Sequence, residues 1–326
     1  MNVAAHVDGS RLPVSELVEL AEVRLGPLGK LRTARAEANG FATKASSLFV
    51  TLTFETVETE LFVKRIDTDG SGRRPDPPDR EVRVYEALDE DDAFAAPAFL
   101  GTVDADGPHL VLARIPGWDL RYRDLEVWQE AAAALGRMHA FYAHLVEAEG
   151  AGWLPFLPRL DGEHHLAEAH LALEVVQRAF PQAASSFESI VADYRDVAAE
   201  LDRRPWTLLH GDLAPKNALM DPTDPPQALF VDWEWAAVGP GSLDLADLVN
   251  GLDPPAADAV LQRYVAEARG TALPESDEAI ERSLRLGALQ RIVFRLGRSA
   301  DWKVELPQVE AWVRAAASHL RGLGSR

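Results

Sequence analysis

The pattern of apolar and polar positions changes character about a third of the way along the 326-residue chain. Residues 13–25, PVSELVELAEVRL, repeat apolar positions at helical spacing behind a proline and a serine that suit a helix start. From residue 31 the texture becomes shorter and partly alternating. LRTARAEA, SSLFVTLTFE and ELFVKRI are rich in β-branched and aromatic residues and predict three consecutive antiparallel strands. A polar loop with three prolines, DTDGSGRRPDPPDR at 67–80, separates them from EVRVYEALDE, where Val82, Tyr85 and Leu88 recur at helical spacing. AFLGTV and HLVLARI predict two more strands around the turn DADGP.

Past PGW at 116–118 the pattern turns helical. LEVWQEAAAALGRMHAFYAHLVEA predicts one long helix, and further helices are expected at 164–180, 186–203, 256–269, 277–298 and 306–322. One short strand, in ALFVDWEW, interrupts them. The pattern predicts an α+β chain of two parts. Residues 1–115 hold an antiparallel five-stranded sheet with helices, and residues 116–326 are mainly helical. A cleft between such parts is the expected ligand site.

Composition narrows the function classes. With 47% hydrophobic residues the chain can bury a sizeable core, and with no cysteine it offers neither disulfides nor thiolate metal ligands. Its first residues lack a basic segment followed by an apolar one, and no apolar run approaches the roughly 20 residues of a membrane helix. A cytoplasmic protein with no membrane contact is expected. The formal net charge of −19 speaks against nucleic acid and anionic membrane as partners. It suits a cationic small substrate, although solubility alone would explain it.

The candidate chemistry begins at LLHGDLAPKNALM, residues 208–220. A turn needs a Gly or an Asp, but not an Asn five residues past the aspartate. His210, Asp212, Leu213 and Asn217 fall on the frame of a kinase catalytic loop, H-R-D-L-x-x-x-N, with Gly211 in place of the arginine. In such a loop the Asp orients an acceptor hydroxyl and takes its proton, and the Asn carbonyl reaches a magnesium on the phosphates. Fifteen residues on, Asp232 ends the apolar run ALFV, where a carboxylate is costly unless it meets a cation. Asn217 and Asp232 are a plausible pair for Mg²⁺, which takes few protein oxygens. Upstream, Lys64 sits inside the half-buried strand LFVKRI, and Glu81, seventeen residues later, opens a helix. This is the order of a strand lysine and helix glutamate that hold the α- and β-phosphates of a nucleotide.

In this order the chain resembles the aminoglycoside phosphotransferase family, within the wider protein-kinase-like fold. HGDLAPKN, VDWEWA and GPGSLDLADLV look like its catalytic loop, metal segment and downstream aspartate motif. LFVKR, REVRVYEAL, HLVLARIPG and ALGRMHA resemble its lysine strand, glutamate helix, hinge and long C-lobe helix, so the likeness runs from about residue 30 to 250. The resemblance implies a two-lobed enzyme with a nucleotide-binding N-lobe, in which Ala113 and Ile115 offer main-chain groups to the base and Leu112 backs the pocket. It implies that Asp244 and His210 are structural supports of the catalytic loop. His139 reads as a core histidine with a satisfied partner. The implied reaction moves the γ-phosphoryl group of ATP or GTP, with Mg²⁺, to a hydroxyl of a small molecule. An aminoglycoside or other antibiotic, with antibiotic resistance as the role, is one option. Choline, ethanolamine, homoserine or a sugar is the alternative, and a nucleotide-binding pseudokinase scaffold is a third reading.

Some features depart from the pattern. ANGFATKASS, 38–47, stands where a phosphate-covering loop belongs but has one glycine, so Thr43, Ser46 or Ser47 would contribute. GSG at 70–72 follows Lys64, and GPLGK at 26–30 lacks P-loop spacing. There is no A-P-E, and only eleven residues separate Asp232 from Asp244, which leaves no room for a protein-substrate platform. Glu234 is either a brace for the metal or a contact for a substrate amine. The acceptor pocket is expected from residues 150–205, with Trp153, Glu163, His164, His165 and Glu168, and from the last helices. His164 and His165 are adjacent on a helix and point apart, so a shared metal site is not expected.

Overall fold

The computed structural model describes residues 5–7, 10–40, 47–66, 79–90, 96–222 and 226–324. Along the chain run β1 (Ala5–Val7), β2 (Ser10–Leu12), α1 (Val14–Leu25), β3 (Leu31–Ala38), β4 (Ser47–Phe54), β5 (Glu58–Arg65), α2 (Arg80–Glu90), β6 (Phe99–Asp104) and β7 (Pro108–Ala113). There follow α3 (Leu125–Glu149), α4 (Gly162–Ala179), α5 (Pro181–Ala192), α6 (Tyr194–Asp202), β8 (Trp206–Leu209), β9 (Ala218–Asp221), β10 (Gln227–Phe230) and β11 (Ala237–Pro240). The chain ends with α7 (Ser242–Leu248), α8 (Pro254–Ala268), α9 (Asp277–Arg298) and α10 (Leu306–Gly324). Two compact units result: Met1–Gly117 with Leu219–Glu234, and Trp118–Ala218 with Trp235–Arg326.

In the first unit five strands form one antiparallel sheet in the order β3-β4-β5-β7-β6. Alternation along the strands divides its faces. Leu48, Val50 and Leu52 of β4, Leu61 and Val63 of β5 and Val111 of β7 bury themselves with Leu17 and Ala21 of α1. The amphipathic stripe of α1 is the reason it lies on that face. On the other face, cross-strand pairing sets Phe49 opposite Phe62, Ser47 opposite Lys64, Phe62 opposite Leu112 and Lys64 opposite Leu110. Lys64 therefore stands on an apolar floor and is itself buried. β9 and β10 pair as a separate two-stranded ribbon.

The second unit is a helical assembly with one short ribbon, β8 paired antiparallel to β11. α3 packs on α8 and β8, and α9 packs on α4, α7 and α10. A large core joins Val176, Phe187, Tyr194, Leu201, Leu289, Val293 and Val313. Gly287 of α9 sits where an added Cβ would lie 2.4 Å from the Ser242 carbonyl oxygen, so a side chain there would push α9 off α7.

Two expectations change. The helix expected at 186–203 is two helices that meet at Asp193. Phe187, Ile190, Tyr194, Val197 and Leu201 keep helical spacing across the break because both pieces bury into one core, α5 against α4 and α10, α6 against α4 and α9. The helical half holds more β structure than one strand. β8 and β11 are four residues long and largely buried, so they carry no alternation to read. α7 was hidden in the same way, since six of its seven residues are buried. Among the described residues no helix is long and apolar enough to cross a membrane.

Leu17→Ala should remove the central contact of α1 with the sheet and cost about 2–5 kcal/mol, the usual range for a buried leucine. Urea unfolding followed by circular dichroism measures it.

Candidate active site

In the first unit, α2 presents Glu81 from its first turn to the Lys64 face of the sheet. Lys64 Nζ donates to Glu81 Oε2 at 2.8 Å, donates also to Asp232, and lies 3.9 Å from Glu234. One ammonium thus faces three carboxylates. Oxygens of Glu81, Asp232 and Glu234 lie within 4.8 Å of one another, the one such acidic cluster with metal-holding geometry among the described residues. Burial alone would lower the Lys64 pKa, but Glu81, Asp232 and Glu234 outweigh it and hold the ammonium protonated. Burial pushes the Glu81 carboxyl up to about 7 against the pull of Lys64, and Asp232 and Glu234 add to the rise.

Asp232 reaches this cluster by way of a left-handed backbone, φ 71°, a conformation that Asp tolerates better than most residues. Its N–H donates to the Tyr85 hydroxyl oxygen at 3.3 Å, one turn along α2 from Glu81. Sequence pattern marks Tyr85 only as a core position. Its second job as an anchor for the Asp232 backbone needs the fold to be seen.

In the second unit, the catalytic-loop candidate leaves β8 at Leu209 and is held by a buried carboxylate. Asp244, on α7, accepts the His210 N–H at 2.6 Å and the Gly211 N–H at 2.9 Å. The His139 ring, from α3, meets Asp244 through Nε2 at 3.3 Å and the Tyr264 hydroxyl, from α8, through Nδ1 at 2.7 Å. Burial would raise the Asp244 pKa, but the hydrogen bond and charge of His139, then His210 and the Gly211 N–H, hold it below the usual carboxylate range. Gly211 has φ 80°, and a Cβ there would stand 2.0 Å from the Trp235 carbonyl oxygen, so no other residue fits the turn.

Beyond this brace the loop aims Asp212. The Asp212 N–H donates to His210 Nδ1 at 3.4 Å, and the Asn217 amide donates to the Asp212 carbonyl at 2.8 Å and to its Oδ2 at 3.4 Å. Asp212 and Asn217 are therefore brought together by a single 3-10 turn, Pro215–Asn217. Lys216 Nζ lies 3.9 Å from the Asp212 carboxylate, whose side chain stays 34% exposed. Burial raises the Asp212 pKa above its ordinary value, with Lys216 and Arg291 pulling the other way and Asp247 pushing up. Asp247, three residues past Asp244, is buried and takes Arg291 and Arg295 of α9. Its spacing in DLADL was the only signal of it.

The remaining candidates have plain places. Ala113 ends β7 with its N–H on the Ala98 carbonyl, and Ile115 follows in an irregular segment. Leu112 is buried on the Lys64 face. Ser47 accepts from the Asn39 side chain at 3.1 Å, while Thr43 and Ser46 lie outside the described residues, as does GSG at 70–72. His165 is buried, and burial first, with His164, pushes its pKa down to about 3, so the ring is neutral. Glu168 pairs with Arg298.

Asp244→Asn should lower stability by about 1–3 kcal/mol, the cost of weakening a buried hydrogen-bonding group. Because the folded-state pKa of Asp244 is depressed, its charge contributes fully above its unfolded value of about 3.9 and is lost as pH falls through the lower folded value. The stability gap between wild type and variant should stay constant from pH 7 to about 4.5 and narrow below that. Denaturant titrations at stepped pH measure it.

Comparison with known proteins bears on what this arrangement is. The model of the phosphotransferase enzyme family matches residues 42–282. No curated protein matches the chain. Solved structures share its fold at low identity. Macrolide 2'-phosphotransferase MphH from Brachybacterium faecium is 18% identical, with TM-score 0.57 over 93% of this chain and 97% of that one. Choline kinase LicA from Streptococcus pneumoniae is 12% identical, with TM-score 0.54 over 95% of this chain and 100% of that one. APH(2")-IIia, solved as its GDP and kanamycin complex, is 14% identical, with TM-score 0.56 over 94% of this chain and 99% of that one. The fold is thus that of the protein-kinase-like small-molecule kinases, and with about three quarters of its length matched by the family model, this chain belongs to the phosphotransferase enzyme family.

Proposed function

We propose that this small-molecule phosphotransferase moves the γ-phosphoryl group of ATP or GTP to a hydroxyl of its acceptor, with Asp212 as the catalytic base. The observation that carries the reading is the buried Lys64 ammonium, paired with Glu81 and surrounded by a surplus of carboxylate. A lysine committed to structure needs one partner. This one has three acidic neighbours, so it can give up Asp232 to a phosphate and keep Glu81. In that state Lys64 clamps the α- and β-phosphates, and Glu81 fixes its position. Ala113 and Ile115 would offer main-chain groups to the base.

Asn217 and Asp232 are the proposed holders of Mg²⁺. The donors fit the ion: they are hard oxygens, and Glu81, Asp232 and Glu234 exceed the charge of Lys64 by more than one ammonium can neutralise. The hydrogen bond from the Asn217 amide nitrogen to Asp212 leaves Oδ1 as the Asn217 atom for a cation. The metal would supply charge neutralisation on the β- and γ-phosphate oxygens. Glu234 is read as a brace for that site, since it faces Lys64.

Asp212 is held by its own loop, with half its job done by position. It orients the acceptor hydroxyl toward the γ-phosphorus and accepts the proton as the new O–P bond forms and the β–γ bridge bond breaks. Transfer of this kind depends mainly on positioning and electrostatics. The acceptor is a hydroxylated small molecule, either an antibiotic such as an aminoglycoside or a metabolite such as choline, ethanolamine, homoserine or a sugar. His210 and Asp244 serve as supports, and the paired Lys64 with the aimed Asp212 favours an enzyme over a nucleotide-binding scaffold.

Asp212→Ala should lower kcat by about 10²–10⁴, the usual range for general acid–base help, and leave the melting-temperature rise produced by Mg-nucleotide intact. Unchanged turnover would refute the base assignment. Asp212 must be ionised to act, and its pKa is raised, so kcat should fall on the acid side with a midpoint above the ordinary 3.8. A pH–rate profile from pH 4 to 9 checks it.

A further inference from the structure

The loop that carries Asp212 also carries a cation. Lys216 stands between Pro215 and Asn217 on the 3-10 turn of that loop. Its Nζ lies 3.9 Å from Asp212 Oδ2, and its side chain is 43% exposed. Oδ2 also faces the Asn217 amide at 3.4 Å, and among the described residues no hydrogen bond reaches Oδ1. This leaves Oδ1 for an acceptor hydroxyl and Oδ2 for Lys216. An exposed ion pair of that length adds little to stability. Beside a base it is also a handicap, since a nearby cation favours the carboxylate over the protonated acid. Holding Asp212 is therefore not a sufficient task for Lys216. The placement is accounted for when the ammonium has a second partner that arrives with the substrates.

Other cations stand near this loop within the second unit, and each is committed elsewhere. Arg291 of α9 acts on Asp212, as do Asp247 and His210. Arg291 is buried, bound to Asp247 and placed 4.1 Å over the Phe294 ring. Arg295 is bound to Asp247 as well. The turn Leu120–Tyr122 packs against Pro215–Asn217 and brings Arg121, which the two Asp119 oxygens hold at 2.9 and 2.8 Å. Arg123 donates to the Trp118 carbonyl at 3.3 Å. Among these described residues Lys216 alone combines exposure, a flexible four-carbon stem and a single loose contact.

Distance sets what Lys216 can reach. A proton passes to a base over about 2.6–3.2 Å, and the reacting atoms of a bound pair stand about 3–3.5 Å apart. The phosphorus under attack is then within about 6 Å of the Asp212 oxygen that takes the proton. Lys216 already lies 3.9 Å from the other oxygen of the same carboxylate. A change of rotamer carries its ammonium to the non-bridging oxygens of the phosphoryl group.

We propose that Lys216 is a catalytic residue: its ammonium leaves Asp212 for the γ-phosphoryl group as transfer proceeds and neutralises charge on the oxygens of that group. This rests on the phosphotransferase reading above and adds a residue to it. In the step, the acceptor O–H bond breaks and its proton goes to Oδ1 of Asp212. The new O–P bond forms, the bridge bond to the β-phosphate breaks, and the nucleoside diphosphate leaves with that electron pair. Protonation removes the charge that Lys216 faced, so its attraction passes to the phosphoryl oxygens. An interaction that strengthens along the reaction in this way raises kcat rather than ground-state affinity.

The test uses this chain with Mg-ADP or Mg-GDP, and aluminium fluoride as the probe that stands in for the transferring phosphoryl group. It needs no acceptor. In the wild type, aluminium fluoride should raise Tm beyond the rise given by Mg-nucleotide alone. Lys216→Met should keep the unliganded Tm and the Mg-nucleotide rise within about 1 °C of wild type, and lose more than about half of the aluminium fluoride increment. Lys216→Arg should retain most of that increment. Free ethylammonium should restore part of it to Lys216→Ala, which a purely structural lysine would not allow. Arg121→Gln should keep it whole. An increment that Lys216→Met retains in full, a loss that Lys216→Arg does not repair, or an equal loss in Arg121→Gln overturns the proposal. So does a wild type that Mg-nucleotide stabilises and aluminium fluoride does not stabilise further. If Mg-nucleotide gives the wild type no stabilisation either, the failure belongs to the phosphotransferase reading itself.

Discussion

The buried carboxylate of Asp244 is the interaction on which the second unit is organised. Taking a carboxylate out of water costs several kcal/mol unless donors replace the water. Here the donors are the two backbone N–H groups of His210 and Gly211 and the ring of His139. Each of these is fixed by something else. Tyr264 holds the other nitrogen of His139, and Thr207 donates to the His139 carbonyl at 2.7 Å. Helices α3, α7 and α8 and strand β8 are thus joined through one charge. The left-handed turn at Gly211 is the direct consequence: two successive N–H groups can point at one carboxylate only if the chain bends sharply between them.

The cluster around Lys64 follows the opposite rule. Around Asp244 the donors match the charge, and the group is sealed. Around Lys64 the acids outnumber the base, and burial pushes Glu81 toward holding a proton. A sealed, matched site stabilises a fold. An unmatched one is costly by itself and is lowered in energy by an incoming cation, which is the condition for a ligand site. The two clusters contain similar residue types, and it is the charge count that separates the sealed one from the one that has room for a further cation.

Much of this was legible in the sequence because it is local or periodic. The five strands and α2 follow from alternation and helical spacing, and Asp212 and Asn217 lie on one turn. Lys64 and Glu81 are readable because each sits on an element whose faces are fixed by its apolar neighbours. What stayed hidden depends on partners far away along the chain. His139 and Asp244 are 105 residues apart, and His139 and Tyr264 are 125 apart. No spacing rule connects them. The break at Asp193 was hidden for a different reason: its apolar period continues unbroken, because both helices face one core. Tyr85 was seen only as an apolar position, and Asp247 drew no reading of its own.

Net charge is a whole-chain property, and a site answers to it only through its own neighbours. An excess of 19 negative charges invites a cationic acceptor. Yet charge acts over about 8–10 Å in physiological salt, so a site answers to its own neighbours and not to the total. Beside the catalytic loop those neighbours are Arg291, Arg295 and Arg298, set against Asp247 and Glu168. The arginines are also the less mobile partners, since Arg291 and Arg298 are stacked on Phe294 as well as paired. A planar guanidinium held by both contacts cannot swing away as a lysine would, so the local balance is fixed before any ligand arrives. The charge of the whole chain therefore does not by itself select an acceptor, and the balance beside the catalytic loop is set by the paired arginines of α9.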